Sequence, residues 1–100
     1  MAIVIFTRLT AAPGRRDELL RVLDELGVAT RAEPGCDVFV SHPARDEPDV
    51  VLGYEVFHDD DALTAHRATD AVAVARERLE TVLAAAPEIT YAVGDGAEGA

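Results

Sequence analysis

The segments that read as strands are apolar on both sides, and a sheet built that way cannot leave either face to water. In residues 2–10, Ile3, Ile5 and Leu9 fall on one side of an extended chain and Val4 and Phe6 on the other. In residues 49–57, Val51 and Phe57 share one side, while Val50, Leu52, Tyr54 and Val56 share the other. Successive side chains alternate across a strand, so each face of the sheet needs its own cover. The rest of the chain must supply one cover, and something outside it must supply the other.

The helical segments supply the first. After Pro13-Gly14, residues 15–30 place Leu19, Val22, Leu23 and Leu26 at helical spacing, with Arg16, Asp17, Arg21, Asp24 and Glu25 on the opposite face. Pro34-Gly35 ends that stretch, and Cys36 to Ser41 reads as a short second strand. His42 to Pro48 reads as a hairpin loop, which makes the second and third strands antiparallel. Asp59, Asp60 and Asp61 stand where a helix start favours a capping oxygen and negative charge. The pattern Ala62, Leu63, His66, Ala71, Val74, Ala75, Leu79 and Val82 follows, with Thr69-Asp70 as a second cap and a break expected near Ala68. Pro87 stops the helix, and Ile89, Tyr91 and Val93 alternate as a fourth strand.

The resulting order, β-α-β-β-α-β, is the α+β ferredoxin-like arrangement: a four-stranded antiparallel sheet with its helices on one face. One domain over residues 1–94 is expected, with residues 95–100 a frayed Gly-rich, acidic tail. The simplest cover for the bare face is a second copy of the chain, so a homodimer packed sheet against sheet is expected.

Composition excludes other classes. The net charge is −10 with no lysine, a field that repels phosphate backbones and anionic lipid, so neither nucleic acid nor a membrane is an expected partner. No apolar run reaches the roughly 18 residues of a membrane helix, and the N-terminus reads as a strand rather than a signal peptide. The single cysteine, Cys36, allows no internal disulfide and fits the cytoplasm.

Chemistry concentrates between Tyr54 and Asp70. His66 lies three residues after Leu63, on the same helix face. If that helix packs on the sheet, His66 lies over the surface carrying Glu55 and Phe57, which would put ionisable groups in an apolar wall. With an unperturbed pKa of about 6.5, a histidine there suits a general base or a donor to an oxyanion. Glu55, among apolar neighbours, needs a partner; Arg8 on the adjacent strand or a group of a second subunit would serve, or Glu55 could itself orient a histidine. His42 sits at a strand end, where it could rim the pocket or simply stand exposed. His58 followed by three aspartates is better explained by helix capping than by a metal, because adjacent residues rarely converge on one ion, and no metal site is expected. Cys36 reads as a small core residue, and Phe39, Tyr54 and Phe57 as core aromatics able to stack on a ring.

Several of these pieces also resemble the antibiotic biosynthesis monooxygenase-type domains, which are dimeric α/β-barrel proteins. The matching pieces are Pro13-Gly14-Arg15-Arg16-Asp17-Glu18, Arg31-Ala32-Glu33-Pro34-Gly35-Cys36, Tyr54-Glu55-Val56-Phe57, and Asp61-Ala62-Leu63 leading to Ala65-His66 and Thr69. The resemblance spans residues 2–93. It implies oxygenation of a phenol, quinol or anthrone by dioxygen without a cofactor, in a pocket between helices and sheet. His66 and Glu55 would be catalytic, and Thr7, Phe39, Phe57 and His42 would bind a small aromatic, polyketide-like substrate. Phe57 stands where several active members carry tryptophan. Thr7 stands where haem-degrading members carry asparagine, and no histidine follows His66, which sets this chain apart from those members. The alternatives are an isomerase or cyclase using the same pocket, or a non-catalytic ligand-binding dimer.

Overall fold

The structure, a computed structural model, describes residues 1–94; the expected tail at 95–100 lies outside the described residues. Seven elements follow one another: β1 (Ile3–Thr10), α1 (Arg16–Arg31), β2 (Cys36–Pro43), β3 (Val50–Phe57), α2 (Asp60–Arg67), α3 (Asp70–Val82) and β4 (Glu88–Val93). The strands form one antiparallel sheet in the order β2-β3-β1-β4, the expected ferredoxin-like topology. β2 runs two residues past the expected end at Ser41, because His42 and Pro43 still pair with Leu52 and Val51 before the loop begins.

The break expected near Ala68 falls where the second cap lies. The Asp59 carboxylate accepts from the Ala62 N–H at 2.8 Å and starts α2. Thr69 Oγ1 accepts from the Val72 N–H at 3.3 Å and starts α3, while donating to the His66 carbonyl at 2.8 Å. One hydroxyl thus closes one helix and opens the next. The break lets the two halves cover different parts of the sheet. Leu63 of α2 joins Ile3, Ile5 and Phe57 in one buried cluster. Val82 of α3 joins Leu9, Leu19, Leu23 and Val51 in another.

Pairing registers fix the rows on the helix side of the sheet. Leu9 stands opposite Val51, Thr7 opposite Gly53, Ile5 opposite Glu55 and Ile3 opposite Phe57. The end rows belong to the two apolar clusters. Between them lie a glycine, a threonine and a carboxylate, so the middle of this face is polar and short of side-chain volume. β4 adds Ile89, Tyr91 and Val93 to the same rows, yet these remain 47–68% exposed, leaving that flank open.

On the other face Phe6, Val40 and Leu52 are exposed, and the Phe6 and Tyr54 rings meet with centroids 5.3 Å apart. Val4, Val50 and Val56 of the same face are already buried within the chain, so the bare patch is smaller than alternation alone suggests. No described helix is long and apolar enough to cross a membrane.

Candidate functional site

His66 is buried at the C-terminal end of α2, 7% exposed, and faces the sheet. Its ring lies 4.7 Å from that of Phe57 and 6.3 Å from that of Phe39, centroid to centroid. Nδ1 is 3.0 Å from Glu33 Oε2. With Glu33 ionised, Nδ1 carries the proton and donates it, leaving Nε2 as the basic nitrogen. Nε2 has no hydrogen-bond partner among the described residues, and none of their buried side-chain nitrogen or oxygen atoms lacks one. Nε2 therefore keeps an opening toward solvent.

The Glu33–His66 pair exists because two chain segments touch. Gly35 packs so closely on α2 that a Cβ there would overlap the Ala62 methyl. The Gly35 carbonyl also accepts from the His58 N–H at 2.8 Å, pinning the turn after α1 to the start of α2. Glu33, two residues before that contact, is carried to His66, about one turn further along α2 than Ala62. Sequence reasoning gives Glu33 no role in the site; Pro34-Gly35 enters it as a stop and as part of the family resemblance, although the glycine is also the close approach that positions the acid.

Glu55 lies on the same face, flanked in its row by Phe39 on β2 and Ile5 on β1. It makes no side-chain hydrogen bond or ion pair among the described residues. Burial pushes its carboxyl up to about 7, with the positive charge of Arg67 pulling the other way. The suggested partner Arg8 is elsewhere: it lies on the opposite face, paired with Glu47 and, at 3.4 Å, with Glu88. Nor does Glu55 orient the histidine, since Glu33 holds Nδ1. Beside Glu55, the Thr7 side chain fills the space over Gly53, where a Cβ would collide with Oγ1.

Of the expected binding residues, the structure brings Phe39, Phe57 and Thr7 to this face, and it does not bring His42. A bulge between Cys36 and Val38 shifts the β2 register, so Phe39 meets Glu55 while His42 pairs with Leu52 on the opposite face and is exposed. Residues 39 and 42 are three apart on one strand and cannot share a face. Two further residues complete the surroundings. Arg67 Nη2 donates to Tyr91 Oη at 2.6 Å, and its guanidinium lies 5.5 Å from the Tyr91 ring centre. Together with Ile3, Asp60 and Leu63 they line a cleft of about 450 Å³ between α2 and β4.

Cys36, paired with Phe57, packs against the same apolar cluster, and burial raises its thiol above the ordinary range. That is the character of a core residue rather than a nucleophile. Among the described residues, no group of three or more His, Cys, Asp or Glu side chains could hold a metal ion.

The family model for antibiotic biosynthesis monooxygenase matches residues 2–78. The chain belongs to the antibiotic biosynthesis monooxygenase family. Every site residue described above except Tyr91 falls within the matched span. Solved structures agree. PA3566 from Pseudomonas aeruginosa is 28% identical, covers 91% of each chain and superposes with a TM-score of 0.85. A Caulobacter crescentus protein whose name carries the same monooxygenase family is 29% identical over 93% of this chain and 91% of its own, with a TM-score of 0.86. Rv0793 from Mycobacterium tuberculosis, at 22% identity, shares the fold over 94% of this chain and 95% of its own, with a TM-score of 0.87. No curated protein matches the chain.

Proposed function

We propose that this member of the antibiotic biosynthesis monooxygenase family oxidises an electron-rich aromatic substrate, a polyketide-like anthrone or a quinol, with dioxygen and without a cofactor. The observation that carries the reading is the buried Glu33–His66 pair, set against Phe57 and Phe39 with Nε2 left free. His66 Nε2 takes a proton from the ring hydroxyl or the activated ring carbon. Glu33 holds the Nδ1 proton and stabilises the imidazolium that forms. Phe39 and Phe57 are aromatic walls, and Thr7 is a polar anchor on the floor. Glu55, near half-protonated at neutral pH, donates to or orients a substrate oxygen.

The electron-rich carbanion then reduces oxygen. For an anthrone CH2, one oxygen atom of O2 ends as the new C=O and the other leaves as water. The four electrons come from the two C–H bonds that are lost, so the substrate is its own reductant. The working unit is a single domain over residues 1–94, acting as a homodimer closed by the exposed patch of Phe6, Val40 and Leu52. It operates in the cytoplasm, where the lone Cys36 thiol stays reduced.

A second reading has its own support. A base and a carboxyl pushed up to about 7 on one sheet face also suit proton transfer without oxygen, as in an isomerase or cyclase. Oxygen consumption separates the two. Metal-free protein is given a panel of anthrones and hydroquinones, wild type beside His66→Ala. The oxygenase reading expects uptake that falls at least tenfold in the variant, about 1.4 kcal/mol of transition-state stabilisation. Equal uptake in both proteins would remove His66 from the chemistry. Oxygen-independent conversion of substrate would favour the isomerase.

A further inference from the structure

We propose that Arg67, held at the mouth of the cleft by Tyr91, binds a carboxylate on the substrate, so that the substrate class is an aromatic acid. This rests on the aromatic site proposed above and deepens it.

Among the described residues, Arg67 is the only cation lining the cleft, and it has no carboxylate within 4.0 Å. Arg8, Arg15, Arg45 and Arg78 each pair with an acid, whereas Arg16, Arg21, Arg31 and Arg76, like Arg67, have no acid partner among the described residues. The one hydrogen bond of Arg67 goes to a neutral phenol oxygen, which fixes the position of the guanidinium without spending its charge. A planar fork with free donors, stacked on an aromatic ring, is the group best matched to a carboxylate. The acid in the same lining, Asp60, lies seven residues earlier on α2, about 10 Å away along the helix. An anion is thus drawn to one end of the cleft and repelled from the other, which gives the ligand a direction.

The row beneath gives it a reach. Tyr91 stands opposite Ile5, and Ile5 stands opposite Glu55, so two strand spacings, about 10 Å, separate Tyr91 from Glu55. Bonded to Tyr91 Oη, the Arg67 guanidinium stands at the β4 end of this row. The net charge of −10 opposes anions at long range, so a short, direct contact is needed to recover the binding.

The test is calorimetric titration with anthraquinone-2-carboxylate and its neutral carboxamide against wild type, Arg67→Ala and Tyr91→Phe. Arg67 and Tyr91 are both exposed, so the variants fold, and circular dichroism checks this. The expected result is a carboxylate preference of at least tenfold in wild type, twofold or less in Arg67→Ala, and intermediate in Tyr91→Phe. A wild-type preference below twofold, or one unchanged in Arg67→Ala, overturns the proposal. If neither compound binds wild type, both this proposal and the aromatic site fail. If the preference holds while no substrate consumes oxygen, the anion site stands and the oxygenase reading falls.

Discussion

Replacing Glu55 with glutamine should stabilise the protein in alkali and leave it unchanged in acid. The glutamate sits in the middle of β3 between Phe39 and Ile5, and burial pushes its pKa from 4.5 to about 7 against the opposing pull of Arg67. Below pH 4.5 the carboxyl is protonated in both folded and unfolded chains, and burial costs nothing through ionisation. Between pH 4.5 and about 7 the unfolded chain loses its proton while the folded chain keeps it, so stability falls as pH rises. Above pH 7 both forms are ionised and the full penalty remains. At about 1.4 kcal/mol per pH unit, that rise amounts to about 3 kcal/mol, a large share of the roughly 5–15 kcal/mol that holds a domain folded. Glutamine keeps the shape and never ionises. Urea denaturation of wild type and Glu55→Gln, at one protein concentration, should give equal unfolding free energies at pH 4.5 and a gap of about 3 kcal/mol in favour of the variant at pH 8. A gap that is the same at both pH values would refute the reasoning, because it would mean that Glu55 does not titrate in this window. The expected gap would make the carboxylate a destabilising group kept for the site's chemistry, a trade common at functional positions.

Glu33→Gln removes the ionised partner of His66 while keeping a hydrogen-bond acceptor; kcat with the best substrate should fall about 10–100-fold, the worth of about 1.5–3 kcal/mol, and an unchanged kcat would show that Glu33 is not needed by the base. Gly35→Ala puts a methyl into Ala62 and should lower stability by about 1–3 kcal/mol. Adding Ala62→Gly should restore it, and failure of that rescue in thermal melts would count against the close approach. Leu52→Glu places a charge in the exposed patch beside Phe6 and Val40; light scattering should show a particle the size of one chain where wild type is twice that, whereas a dimeric variant would move the interface elsewhere.

Much of this site was legible because it depends on short-range rules. Strand parity puts Glu55 and Phe57 on one face, helical spacing puts His66 with Leu63, and Asp59 and Thr69 announce the two helix starts. Each is decided by residues within one or two turns or along one strand, where periodicity is a geometric necessity. The rest depends on distances through space. Glu33 reaches His66 across 33 residues because glycine at position 35 lets two backbones touch. Arg67 meets Tyr91 across 24 residues because β4 returns beside β1. The β2 bulge, an extra residue that alternation cannot count, sends Phe39 inward and His42 outward. The sequence alone determined which elements form, in what order, and which faces are apolar, since those follow from local backbone preference and side-chain period. Only the tertiary structure decided which acid holds the histidine, which cation guards the cleft and which side of β2 faces it, because these follow from close approach and register, to which local preference is blind.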